Sequence, residues 1–263
     1  MAKTTALVLG ARAGRGRILL KSRVARLALL GLCLAGAASP GEVLAADPAK
    51  TETHEHREPV VLAPGYAELS YPAPVPGTYQ LPPLGPATDG VVLDSQGQAH
   101  ELHDLMGDRL VLLSFIYTSC SDVNGCPLAT HVFSKVARKL AAAADLEGQV
   151  RLLSLSFDPE HDVPAVMRGY GGRFQRTDGA DWRFLTTTGI AALKPILNGY
   201  DQWVIRETDE TGQPLGTIAH LLRVYLIDRE RRIRNIYSVS FLHADTIASD
   251  LRTLLLEELE ISP

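Results

Sequence analysis

The chain has 263 residues, of which 46% are hydrophobic and 21% charged, enough for one large core or two small ones. Its formal net charge of −4 conceals an uneven split: Lys3, Arg12, Arg15, Arg17, Lys21, Arg23 and Arg26 face only Glu42 within residues 1–45, so the remaining 218 residues carry −10. A body that acidic excludes nucleic acid as a partner, because phosphate binding needs a basic footprint.

The basic head precedes an apolar run, Leu27 to Ala38, and Val43-Leu44-Ala45 offers a small-residue cleavage site. That run falls short of the roughly 20 residues a spanning helix needs. Residues 1–45 are therefore expected to be a cleaved signal peptide, with the mature chain beginning at Ala46 in the periplasm; left uncleaved, the segment would hold the protein at the membrane. Leu32 before Cys33 argues against lipid attachment, and no twin-arginine pair precedes the apolar run. The mature chain then keeps two cysteines, Cys120 and Cys126, both in one short loop, which is not a disulfide-stapled scaffold.

Residues 46–86 read as a Pro-rich linker, because half of the 16 prolines fall between Pro59 and Pro86 and no period persists. His54 and His56 within it read as solvated. The folded domain is expected over 87–260. Val91–Leu93, a turn at Ser95–Gly97 and Ala99–Leu102 suggest a hairpin. Leu110–Tyr117 is an apolar, β-branched and aromatic run suited to a buried central strand. Next comes Thr118-Ser-Cys-Ser-Asp-Val-Asn-Gly-Cys-Pro127, and then Leu128, Val132, Val136 and Leu140 at helical spacing. Pro127 suits the first helical position, which puts Cys126 at or beside the N-cap and Cys120 on the loop leaving the strand.

Further along, Val150–Phe157 reads as a second buried strand, Val163–Phe174 as a helix, Trp182–Thr186 as a short strand and Gly189–Leu197 as a helix. Gln202–Arg206 is extended, His220–Ile227 and Ile233–Tyr237 are hairpin partners, and Ala244–Leu256 closes as a helix. The order is that of an α/β protein: a thioredoxin-like mixed sheet with helices on both faces and an added N-terminal β-hairpin. His100, His103, His131, His161 and His243 read as surface residues. No phosphate loop, serine triad or paired carboxylate site is present.

A cysteine pair facing a helix N-terminus makes a thiolate site, since the unpaired N–H groups and the helix dipole favour S⁻. On such a fold it serves dithiol–disulfide exchange, peroxide reduction or metal capture. Five residues separate the cysteines, where thioredoxin-type exchange uses two. The approach to Leu221–Ile227 carries Ile218-Ala-His220 where those proteins place a proline. A histidine at the mouth of a cysteine pair makes a Cys₂His set; zinc can use it with a water, and soft thiolates plus imidazole suit copper in either oxidation state.

From about residue 80 to 258 the sequence resembles the Sco (SenC-type) family, thioredoxin-fold copper chaperones for cytochrome c oxidase. The resemblance rests on Phe115-Ile-Tyr-Thr-Ser-Cys120 with Cys126-Pro127, on Ser156-Phe-Asp-Pro-Glu-His-Asp-Val-Pro164, on Phe184-Leu-Thr-Thr-Thr188, and on His220 with Tyr225-Leu-Ile-Asp228. It implies that Cys120, Cys126 and His220 are copper ligands, and that Asp158 is an acidic neighbour able to orient His220 or tune the thiols. It also implies an apo copper protein, an oxidase subunit, as partner. Three departures stand out. The family usually spaces its cysteines by three, it follows the histidine with Ser or Thr where this chain has Leu221, and it has a glycine-containing turn where this chain has Arg229-Glu-Arg-Arg232. Two functions remain: a metallochaperone using Cys120, Cys126 and His220, or a thiol–disulfide oxidoreductase in which Cys120 attacks and Cys126 resolves, with a thiol reductant as second partner.

Overall fold

The computed structural model describes residues 60–174 and 180–261. The expected signal peptide, the first part of the expected linker and His54 and His56 lie outside the described residues. Among the described residues no helix is long and apolar enough to cross a membrane.

The core is a six-stranded sheet ordered β1-β10-β9-β4-β5-β6, formed by Gly85–Pro86 (β1), Leu110–Ile116 (β4), Val150–Ser156 (β5), Asp181–Leu185 (β6), Val224–Ile227 (β9) and Arg232–Tyr237 (β10). β4, β5 and β6 run parallel, whereas β9 is antiparallel to β4 and β10 to β9. Every residue of β4 and β5 is buried. Their lack of a regular apolar–polar alternation follows from that, since a strand covered on both faces has no solvent side to alternate with.

Alternation along the strands sorts the helices. On one face, Phe133 of α2 (Cys126–Ala142) meets Trp182, and Tyr170 of α3 (Pro164–Gly171) meets Phe184. α5 (Ala244–Ile261) packs beside α2. On the other face, Phe115 and Tyr225 pack edge-on against Tyr200, which caps α4 (Ile190–Gly199). Arg151, one residue out of step with Leu152, points to that same face and donates to the Leu105 carbonyl of the short α1 (Leu102–Met106). Helices thus cover both faces, the thioredoxin-like arrangement. The hairpin of β2 (Val91–Leu93) and β3 (Ala99–Glu101) joins the end of β6 through reciprocal Leu93–Thr186 hydrogen bonds of 2.8 and 2.9 Å.

Two expectations need correction. The stretch His220–Ile227 is not one strand. β8 (Pro214–His220) pairs with β7 (Val204–Thr208) in a separate two-stranded finger, and β9 starts only at Val224. His220 therefore ends the finger and does not begin a core strand. Leu221 lies in the break and is exposed, which the continuous apolar pattern concealed.

The other correction concerns residues 60–86, expected to be a tether. They lie against the body as a strap. Pro64–Tyr66 forms a 3₁₀ turn on α2, and Ala63, Gly65 and Leu81 are buried. Gly77 N donates to Thr253 Oγ1 at 3.1 Å, Tyr79 donates to Asp250 at 2.6 Å, and Leu84 N donates to Ile233 O at 2.8 Å. Prolines remove the donors that would form a regular element. The hydrogen bonds the strap makes instead run to side chains of α5 and α2 and to β10, an arrangement no periodicity announces.

Candidate metal centre

β4 delivers Tyr117 to the carboxyl edge of the sheet, and the chain loops out from Thr118 before entering α2. Gly125 is the N-cap, Cys126 the first helical residue and Pro127 the second, one position later than the sequence suggested. Gly125 offers no capping side chain and Pro127 has no N–H, so the Cys126 N–H at the start of α2 is left to face the Cys120 sulfur. Cys126 is 1% exposed, and its Sγ accepts the Tyr117 N–H at 3.4 Å. Cys120 is half-buried, and neither cysteine is in a disulfide.

The finger brings His220 to the pair. Its Nε2 stands 3.5 Å from Cys126 Sγ, while its Nδ1 is 2.9 Å from the Ile218 carbonyl. A carbonyl only accepts, so Nδ1 carries the proton and Nε2 turns a lone pair toward the sulfurs, the tautomer a metal ligand requires. The Tyr117 and Phe157 rings wall the imidazole at 5.6 and 4.8 Å between centroids. The donor atoms of Cys120, Cys126 and His220 all lie within 4.8 Å of one another, the one such trio among the described residues.

The two thiols differ. The hydrogen bond from the Cys126 side chain, with the N–H groups of Cys126 and Asp122 and the Tyr117 hydroxyl, lowers the Cys120 thiol to about 5 despite partial burial. Burial pushes the Cys126 thiol up, and the neighbouring Cys120 thiolate adds to it. Without metal, Cys120 holds the negative charge and Cys126 the proton. Since the Cys120 pKa is lowered, its thiolate persists at every pH above about 5 and disappears only below that. Iodoacetamide should therefore label Cys120 in the metal-free protein at pH 6, where an ordinary thiol near 8.5 reacts slowly, and should spare Cys126; mass spectrometry of the labelled peptides reads both.

A sequence model of the SCO1/SenC family matches residues 91–256. The chain belongs to the SCO1/SenC family. It is 24% identical over 161 residues to the SCO1 protein homolog of Bacillus subtilis, covering 61% of this chain and 78% of the relative. It resembles copper-bound ScoI of Arabidopsis thaliana with a TM-score of 0.55 and 17% identity, covering 65% of this chain and 98% of that one. The structure of BsSco, described as a member of the Sco family of cytochrome c oxidase assembly proteins and as carrying a disulfide switch, aligns with a TM-score of 0.52 and 22% identity over 66% of this chain and 97% of that one. At these identities the structural likeness shows the shared fold.

In this Sco-family chain the Ser156–Pro164 stretch does something other than expected. Asp158 does not touch His220, whose Nδ1 is already taken by Ile218. Its buried carboxylate accepts Arg206 Nη1 and His161 Nδ1, each at 2.9 Å. Arg206 lies on β7, so Asp158 fixes the finger that carries His220 and acts on the imidazole only through the backbone.

The residue that sequence reasoning missed is Asp162. It is 1% exposed, and its carboxylate accepts Thr118 N at 3.0 Å, Thr118 Oγ1 and, at 2.6 Å, Ser156 Oγ. It thereby pins the start of the cysteine loop to the end of β5. The signal was present as a second aspartate four residues after Asp158, but nothing in the sequence said which of the two faced the loop. Asp162→Ala should lose about 3 kcal/mol of stability, because three donors are left without an acceptor in a dry site; urea denaturation measures it. Asp162→Asn should recover only part, since its Nδ2 donor would meet donors.

Among the histidines expected on the surface, His161 is exposed, while His100 and His103 are half-buried. His100 bonds Asp94 at 2.9 Å and His103 bonds Ala87 O at 2.9 Å. His243 is instead buried at 3% exposure. Its Nε2 meets Ala67 O at 3.1 Å and its Nδ1 accepts Asp245 N at the start of α5, so it serves the strap and the helix.

Proposed function

We propose that the protein is a periplasmic copper metallochaperone. It takes one copper ion on Cys120, Cys126 and His220 and hands it to an apo copper site in a subunit of cytochrome c oxidase. The observation that carries this reading is the prepared His220 Nε2 beside two unpaired thiols. Two thiolates and an imidazole are a soft donor set suited to copper. The copper-bound ScoI and the oxidase assembly role ascribed to BsSco support the cargo and the client. The basic and apolar head of residues 1–45 supports export.

The graded exposure of the ligands gives the transfer an order. Cys120 lies at the mouth, so an incoming ligand displaces it first, while the buried Cys126 leaves last. Copper loading expels the proton from Cys126, so capture releases acid and weakens as pH falls. Trp203 and Leu221, 68% and 58% exposed, flank the end of the finger beside His220 and offer apolar contact to a protein partner. The test is transfer of Cu(I) from the loaded protein to an apo copper domain of an oxidase subunit, followed by the acceptor's absorption. Transfer should outpace release to a chelator, and Trp203→Asp should slow it about tenfold while leaving copper stoichiometry unchanged. Transfer no faster than release to solvent would sink the reading.

A second reading is also supported by a particular observation. An accessible thiolate at Cys120 backed by a buried thiol at Cys126 is the asymmetric pair that thiol–disulfide exchange uses. In that role Cys120 attacks a client disulfide and Cys126 resolves the mixed disulfide.

A further inference from the structure

Five residues between two cysteines leave a loop long enough to wander, and entropy opens it unless something fixes it. Near its start Asp162 holds Thr118. Its far end is held from outside. Asn124 Oδ1 accepts the N–H of Ala63, 61 residues earlier, at 2.8 Å, and Asn124 Nδ2 donates to Val61 O at 2.9 Å. The side-chain amide thus pairs with the main chain on both sides, as one strand residue pairs with another. The Tyr66 hydroxyl adds a bond to Val123 O.

The segment that grips the loop is itself fixed to α2 and its surroundings. Gly65 sits so close that a Cβ there would meet Leu242 O at 2.4 Å, so the 3₁₀ turn has only one seat. Lys135 Nζ donates to the carbonyls of Gly65, Tyr66 and Ala67 at 3.2, 3.3 and 3.1 Å. None of these groups touches a sulfur.

We infer that Asn124 is a positioning residue for Cys120, and that Val61–Tyr66 is the latch through which it acts. Inside the loop, Asp122 Oδ1 and its carbonyl accept the N–H groups of Asn124 and Gly125 at 3.0 and 2.9 Å, and the strap fixes that turn to the body. Its effect on the dithiol needs no metal; its effect on copper capture rests on the function proposed above. A thiol held facing its partner has a high effective concentration, which favours both a shared metal and an internal disulfide.

The test is the equilibrium with glutathione in the full chain. The protein dithiol and one oxidised glutathione give the Cys120–Cys126 disulfide and two reduced glutathiones. One S–S bond breaks and one forms, two electrons pass from protein to glutathione, and the two glutathione thiols take the Cys126 proton and one proton from solvent, because Cys120 is already the thiolate. Asn124→Ala should lower this equilibrium constant about tenfold, about 30 mV for a two-electron couple. Tyr66→Phe should move it in the same direction by less. Lys135→Met loosens the strap without touching the loop and should also lower it. Each variant's melting temperature is read alongside, because lost packing alone lowers melting and leaves the equilibrium within the folded protein unchanged. An Asn124→Ala constant within about twofold of wild type overturns the inference. So does a tenfold drop in Asn124→Ala with none in Lys135→Met, which would confine the effect to the loop. Cu(I) competition on the same variants should lose a similar factor. If the wild-type protein takes no copper, the proposed function falls and the glutathione measurement still decides the latch.

Discussion

Cys126→Ser is expected to abolish tight Cu(I) capture, and Cys120→Ser to do the same. Two thiolates are the least that holds Cu(I) firmly, and a hydroxyl at either position is a hard, weak ligand. The loss should be on the order of a thousandfold or more. The two variants differ in what else they disturb. Cys126 is buried and its sulfur accepts the Tyr117 N–H; a serine oxygen can accept the same proton, so the fold should persist and the loss reads as a lost ligand. Cys120 is half-buried in the loop and its replacement disturbs less still. Competition against a chromogenic Cu(I) chelator, with circular dichroism as the folding control, measures both. Wild-type affinity in either folded variant would rule out the three-ligand site.

The sheet was legible because its central strands are buried on both faces and bounded by turn residues. Leu110–Ile116 and Val150–Ser156 could hardly be anything but buried strands. α2 was legible from its i, i+4 stripe. The finger was not, because β7 and β8 carry exposed residues such as Ile205 and Leu215 on a hairpin outside the main sheet. Its apolar residues merged on paper with those of β9. The strap was illegible for a different reason. Its order comes from side chains of α5 and α2 that reach it across 170 residues or more in some cases and 70 in others, and local sequence holds no trace of such contacts.

The cysteine pair was readable because thiols beside a helix start need no long-range information, whereas His220, 94 residues from Cys126, was reached through the expected fold and the family resemblance. Asp158 marked the right neighbourhood, and its hydrogen bond goes to the finger that carries His220, with none to the imidazole. Its motif contains two aspartates at the end of one strand, and only the turn between them decides that Asp158 faces Arg206 of the finger and Asp162 faces Thr118. The Ile218 carbonyl that fixes the His220 tautomer is main chain, which sequence cannot single out.

His220→Ala should separate the two functional readings. Removing the imidazole leaves both thiols and the start of α2 in place, since His220 meets Cys126 only through Nε2 and is otherwise held by Ile218 and by the Tyr117 and Phe157 rings. Cu(I) is soft and stays on two thiolates, so its affinity should fall only about ten- to a hundredfold. Cu(II) prefers sites containing nitrogen with tetragonal geometry, so it should be lost or its thiolate charge-transfer absorption strongly shifted. Thiol–disulfide exchange with a small disulfide should remain near the wild-type rate, because the groups that lower the Cys120 pKa are the Cys126 side chain, the N–H groups of Cys126 and Asp122 and the Tyr117 hydroxyl, and the histidine is not among them. The measurement is a Cu(II) titration followed by visible absorption, with the exchange rate determined on the same preparation. If the substitution cripples exchange and spares the Cu(II) spectrum, the histidine serves the thiols and the protein works as an oxidoreductase. If it removes the Cu(II) spectrum and spares exchange, the finger exists to bring a third ligand to a metal, which a disulfide exchanger has no use for.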